Sequence, residues 1–95
     1  MHYILIYDVV DNFIERRTPY RQEHLAAVNR AHENGQLILA GAFAEPVDGA
    51  ALVFRADDAS VPERFAREDP YVINGLVTQW RVRAWNVVIG AESHV

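Results

Sequence analysis

The sequence predicts an α+β fold of the ferredoxin-like kind, βαββαβ, with an antiparallel sheet and two helices on one face. Three observations carry this. Four stretches rich in β-branched and aromatic residues (2–10, 36–44, 51–56 and 76–90) are interleaved with two helix-like stretches in the order β-α-β-β-α-β. The middle two strands are joined only by "EPVDGA", a turn composition, so they form a hairpin. Finally, the strands are apolar on both sides, which sets the assembly as well as the fold.

The elements follow in order. "HYILIYDVV" is the first strand, and "DNFIERR" reads as a loop or lead-in turn. Thr18-Pro19 starts the first helix, with Thr18 as N-cap and Pro19 at the first helical position. That helix runs to about Asn34, and Gly35 stands where a left-handed C-cap belongs. "QLILAGAFA" and "ALVFRA" are the hairpin strands. "DDASVPERFARED" is a short second helix with Ser60 and Glu63 at capping-box spacing. "LVTQWRVRAWNVVIG" is a long last strand from about Leu76 into the Val87-Val88 region, its end expected to help a dimer contact. The whole, 1–95, is one domain with a tail at 90–95.

In the first strand Tyr3, Leu5 and Tyr7 point one way and Ile4 and Ile6 the other; Leu52 and Phe54 oppose Val53 in the third. Two helices cover one face only. The other needs a cover, because large exposed apolar patches are rare in monomers, and a second copy of the chain supplies it. Two sheets packed face to face make a homodimer with a dimeric α+β barrel.

Composition excludes several function classes. The 95 residues are 51% hydrophobic and 23% charged, with a formal net charge of −4 and a pI near 5.4. No basic stripe exists, so no nucleic-acid partner is expected. All nine basic residues are arginines, which excludes lysine Schiff-base chemistry, and the absence of cysteine excludes thiolate nucleophiles and zinc-thiolate sites. No cofactor motif and no helical metal-ligand spacing is present, so neither cofactor nor metal is expected. "MHYILIYDVVDN" has no basic n-region, and no apolar run approaches about 18 residues. The expectation is a cytoplasmic protein with no membrane partner.

A helical wheel of the first helix places Gln22, Glu23, Ala26, Asn29, Arg30, Glu33 and Asn34 on one side. Tyr20, Leu25, Ala27, Val28 and Ala31 fall on the other, together with Arg21, His24 and His32. His24 sits near the middle of the apolar arc with Arg21 beside it, and such groups need partners there. One reading is a core histidine bonded to a backbone carbonyl, with Arg21 reaching outward. The other is a site. His32, near the helix C-terminus, reads as structural. Asp69 carries a similar ambiguity. Pro70 disfavours helical geometry at the preceding residue, so Asp69 ends the second helix and can cap a short turn that Asn74-Gly75 redirects into the last strand. It is either punctuation or half of a site.

"PYRQEHL", "ENGQLILAGAF" and "EDPYVINGLV", followed by a tryptophan-containing last strand, resemble the YCII-related (YciI-like) family over residues 3–89. The Arg-x-x-His-Leu, Gly-x-Leu-x-x-x-Gly and Asp-Pro-Tyr elements carry the resemblance. It implies a ferredoxin-like protomer in a dimeric α+β barrel, and a His/Asp pair that falls here on His24 and Asp69 as the catalytic residues. Some proteins resembling this group act on chlorinated hydroquinone-type rings as dehydrochlorinases, and related barrels include muconolactone isomerases.

A carboxylate bonded to an imidazole fixes its tautomer, leaving the other ring nitrogen free to move a proton near neutral pH. Arg21 would hold a substrate anion, and Tyr7, Tyr71, Phe43 and Trp80 are candidate walls of a cleft for a small-molecule ligand. Gly41 would leave room for that ligand or mark a bulge, and Asp8 lies near the cleft or in solvent. The functional expectation is a cofactor-independent lyase or isomerase acting on a small cyclic or aromatic acid. The alternative is a non-catalytic small-ligand-binding or interaction module.

Overall fold

The computed structural model of the protein describes residues 1–90. Its strands are β1 (His2–Val9), β2 (Leu37–Ala42), β3 (Gly49–Arg55) and β4 (Val77–Trp85). Its helices are α1 (Phe13–Arg16), α2 (Arg21–Glu33), α3 (Ser60–Glu68) and α4 (Pro70–Ile73), with a 3-10 turn at Thr18–Tyr20 between the first two. The sheet order is β2-β3-β1-β4 and every neighbouring pair is antiparallel, the ferredoxin-like arrangement. No helix among the described residues is long and apolar enough to cross a membrane.

Register explains the core. Tyr3 pairs with Phe54 and Ala84, Leu5 with Leu52 and Val82, Tyr7 with Ala50 and Trp80. These residues share the face that the helices cover. Leu5, Tyr7 and Phe54 are almost completely buried there with Leu37, Ala66 and Leu76. Each large apolar side chain so buried contributes about 1.5–3 kcal/mol. The opposite face presents Ile4 against Val53 and Arg83, Ile6 against Ala51 and Arg81, with Leu39 beside Val53. No helix covers it.

Several local expectations need correcting. "DNFIERR" is not only a loop, because Phe13–Arg16 form a helical turn whose Phe13 is buried. Thr18 does not cap α2; it opens the 3-10 turn, with Pro19 in that turn, and Tyr20 is the residue before α2. Ser60 and Glu63 form no capping box. Asp58 accepts from both the backbone and the hydroxyl of Ser60, so Ser60 is the first residue inside α3 rather than its cap. Strand β2 stops at Ala42, two residues before the expected end. β4 stops at Trp85, which pairs with His2, the first residue of β1. Apart from Gly90, the expected tail lies outside the described residues.

Two glycines end helices as their positive φ requires. Gly35 (φ 86) and Gly75 (φ 77) follow α2 and α4. In both, the next residue's N–H reaches back to the third carbonyl from the helix end: Gln36 to Ala31 at 3.1 Å and Leu76 to Tyr71 at 2.9 Å. The second of these turns the chain from α4 into β4 and holds α4 against the sheet.

Candidate functional site

Asp69 owes its place to local chemistry. Pro70 pushes it to an extended backbone (ψ 124°), which ends α3 and makes Asp69 the N-cap of α4, with Pro70 in the first helical turn. Its carboxylate oxygen Oδ1 accepts from the Tyr71 backbone N–H at 3.0 Å. The capping role is therefore real, yet it uses only part of the group. Oδ1 also meets His24 Nδ1 at 2.8 Å, and Oδ2 accepts from the Tyr7 hydroxyl at 2.7 Å. Asp69 is 1% exposed, and three donors from β1, α2 and α4 converge on it. A charge buried this deeply needs such a set of partners.

His24 faces inward from α2, with its side chain 13% exposed. Its ring stacks on Tyr71, centroids 3.8 Å apart and planes 11° from parallel. Tyr71 meets Phe13 edge-on at 5.3 Å. With Nδ1 on Asp69, His24 Nε2 has no protein partner among the described residues. The ring borders a cavity of about 360 Å³ between α2 and the sheet, within the range of small-molecule sites.

Arg17, Arg21, Leu25 and Val28 from the helical side line this cavity, as do Tyr7, Ala40, Gly41, Ala42, Ala50 and Leu52 from the sheet and Phe13 and Tyr71 from the short helices. Leu25 is 39% exposed on the inner side of its helix because it looks into this space.

The expected site residues are placed as follows. His24, Arg21, Tyr71, Tyr7 and Gly41 all border the cavity, and Asp69 stands behind His24. Tyr7 is more than a wall, since its hydroxyl is taken up by Asp69. Gly41 offers backbone: strand alternation aims its missing side chain at the other sheet face, and an added Cβ would meet nothing within 4 Å. The irregularity in β2 lies between Leu37 and Leu39, not at Gly41.

Phe43 and Trp80 do not line the cavity. Phe43 follows the end of β2 and is 44% exposed, and Trp80 lies across β1 with the Arg67 guanidinium 5.8 Å from its ring. Asp8 is exposed on the opposite face. His32 bonds the Leu37 carbonyl through Nδ1 at 2.8 Å, a structural contact. Sequence reasoning missed Phe13 and Arg17. Their signal was spacing: Phe13, Arg17, Arg21 and His24 stand at intervals of four, four and three, a single helical face running through the 3-10 turn.

Burial is the chief reason that the Tyr7 phenol is pushed far above its ordinary range; the Asp69 charge and its hydrogen bond add to this. Tyr71 is also raised, by burial first, while Arg21 and Arg17 pull the other way. The phenol's folded value lies above its unfolded value of about 10, so above that pH the unfolded chain releases a proton that the folded chain keeps. The stability from Tyr7 is complete below pH about 10 and is lost above it, by about 1.4 kcal/mol per pH unit. Tyr7→Phe removes this dependence and, near neutral pH, about 1.5–3 kcal/mol for a hydrogen bond to a charged acceptor. Urea denaturation of both proteins at pH 8 and pH 11 is expected to show the gap narrowing at the higher pH. A constant gap contradicts it.

No relative is found among curated proteins. Among solved structures, the fold is similar to TftG, the 5-chloro-2-hydroxyhydroquinone dehydrochlorinase from Burkholderia phenoliruptrix AC1100 in complex with 2,5-dihydroxybenzoquinone. The TM-score is 0.75 with 17% identity, over 90% of this chain and 93% of that one. At that identity the likeness speaks for the fold alone. The model of the YCII-related domain matches residues 1–86, and the chain belongs to that family.

Proposed function

We propose that the protein is a cofactor-independent enzyme that moves a proton on a small cyclic or aromatic acid, as an isomerase or lyase, with His24 as the catalytic base. The observation that carries this reading is the His24–Asp69 bond at 2.8 Å on the wall of a cavity, with Nε2 left without a protein partner. Asp69 holds the proton on Nδ1, so Nε2 carries the lone pair and can take a proton from a substrate carbon or hydroxyl. The imidazolium that forms is stabilised by the carboxylate, and Arg21 stabilises the enolate or phenolate. Returning the proton to another atom completes an isomerisation; expelling a leaving group from the enolate completes an elimination. TftG is a 5-chloro-2-hydroxyhydroquinone dehydrochlorinase, which supports a ring compound as the substrate here.

A pair sealed away from any cavity would favour a purely structural or interaction role; this one borders a cavity. The test is deuterium uptake from D2O into hydroxy-substituted ring acids, followed by NMR. Uptake at a carbon adjacent to a ring oxygen is expected. A ring acid that perturbs the His24 resonances without exchanging favours a ligand-binding protein instead.

The working unit in this reading is a homodimer, with a second copy covering the open sheet face. Ile4, Ile6, Leu39, Val53 and Trp85 lie on that face, and Leu39 and Trp85 are 62% and 46% exposed. Sedimentation at micromolar concentration is expected to show a dimer, and a stable monomer overturns this.

A further inference from the structure

Arg17 has no part in the chemistry above, yet its position asks for an explanation. It follows α1 and stands four residues before Arg21, and both border the cavity that His24 faces. The Arg17 guanidinium lies over the Phe13 ring, 5.4 Å from its centroid, which holds it at the cavity rather than loose in solvent. Neither Arg17 nor Arg21 forms an ion pair with a carboxylate among the described residues. No acidic side chain among the described residues lines the cavity; Asp69 is behind His24, 1% exposed and enclosed by its three donors. Two cations on adjacent helical turns repel each other without an anion between or beside them.

A second, independent observation points to the same space. The Tyr71 hydroxyl is buried at the cavity wall with the Arg21 guanidinium beside it as a donor, and its own proton meets no acceptor among the described residues. A buried donor left so is destabilising, and an acceptor on a bound molecule would satisfy it. Around these polar groups the lining is aromatic and small: the rings of Phe13, Tyr71 and His24, and alanines of β2 and β3. Such a lining takes a planar ring.

We propose that the ligand of this cavity is a planar ring bearing two ionised acidic groups, and that Arg17 is the residue that selects the second. This rests on the reading of the cavity as a ring-acid site. Arg21 takes one acidic group beside His24, Arg17 takes the other, and the Tyr71 hydroxyl donates to an oxygen of the same ligand. A single acidic group leaves one guanidinium unmatched, so diacids are preferred over monoacids.

The test compares benzoate with benzene-1,2- and benzene-1,3-dicarboxylate by calorimetry and by NMR shifts of the His24 ring. Wild type is expected to bind at least one diacid about tenfold or more tightly than benzoate, the scale of one added charge-assisted contact. Arg17→Gln is expected to lower diacid affinity about tenfold and benzoate affinity far less, so that the preference disappears, and Arg17→Lys to restore part of it. The preference is also expected to shrink with added salt. Equal affinity for benzoate and both diacids in wild type, or an equal loss for all three in Arg17→Gln, overturns the proposal. If benzoate moves the His24 signals without any diacid preference, only this inference fails. If no ring acid moves them, the reading of the cavity as a ring-acid site fails with it.

Discussion

Replacing Asp69 by alanine is expected to destabilise the protein by about 3–5 kcal/mol, the range seen when one member of a buried charged network is removed. The magnitude distinguishes the two roles of the residue. Loss of an N-cap alone costs about 1 kcal/mol, and here that part corresponds to the 3.0 Å bond from Tyr71 N. The remainder comes from stranding the Tyr7 hydroxyl and His24 Nδ1, which now lie 2.7 and 2.8 Å from the carboxylate in a site too enclosed for easy hydration. Each buried donor left without an acceptor costs about 1–3 kcal/mol. Against a total stability of roughly 5–15 kcal/mol for a domain, this is a large fraction.

Asp69→Asn keeps the shape and one acceptor oxygen, so its effect is expected to be smaller. Its amide group would face a donor, and the preference for a proton on His24 Nδ1 would disappear from the nitrogen spectrum of the ring. Urea midpoints at unchanged slope measure the stability effect. A loss near 1 kcal/mol for Asp69→Ala would return the residue to the role of a helix stop.

The second large effect concerns chemistry. His24→Asn is expected to lower the rate of deuterium uptake into a bound ring acid by about 10²–10⁴-fold, the usual contribution of a positioned acid or base. Asparagine can still hydrogen-bond Asp69, so the carboxylate is not stranded as it would be beside alanine. It cannot carry a proton between two substrate atoms. Binding, held by the arginines and the aromatic walls, is expected to change far less than the rate. An undiminished exchange rate in a variant that still binds the ring acid would remove His24 from the mechanism. A variant that loses binding and exchange in parallel would make the ring a binding contact rather than a base.

The order of elements, the hairpin, the helix stop at Gly35 and the turn at Asn74-Gly75 were legible in the chain because each is a local matter. Period-2 apolar residues make strands, glycine relieves the strain of a positive φ, and proline disfavours helix at the residue before it. Asp69 as punctuation belongs to the same class, since its neighbour Pro70 disfavours helix there and its side chain caps the turn that follows. Boundaries were legible only in part. The end of β4 lies opposite the start of β1, and the N-terminus of α3 depends on whether Asp58 or Ser60 takes the cap. Neither outcome is visible in the segment itself.

The site was legible as residue types and not as geometry. The wheel placed His24 and Arg21 on the inner side of their helix, but 45 residues separate His24 from Asp69 and 62 separate Tyr7 from it, so no local rule connects them. Their meeting follows from the sheet order, which lays β1 between β3 and β4, and from the packing of α2 and α4 on one face. Tyr7 was expected as a wall and is both a wall and a hydrogen-bond donor to Asp69, 62 residues away. Trp80 and Phe43 were expected as walls and lie elsewhere, since a side chain's neighbours depend on which strand pairs with which. Short-range physics writes the elements into the chain; which polar groups share one enclosed space is settled when the elements pack, because burial forces every such group to find its partner there.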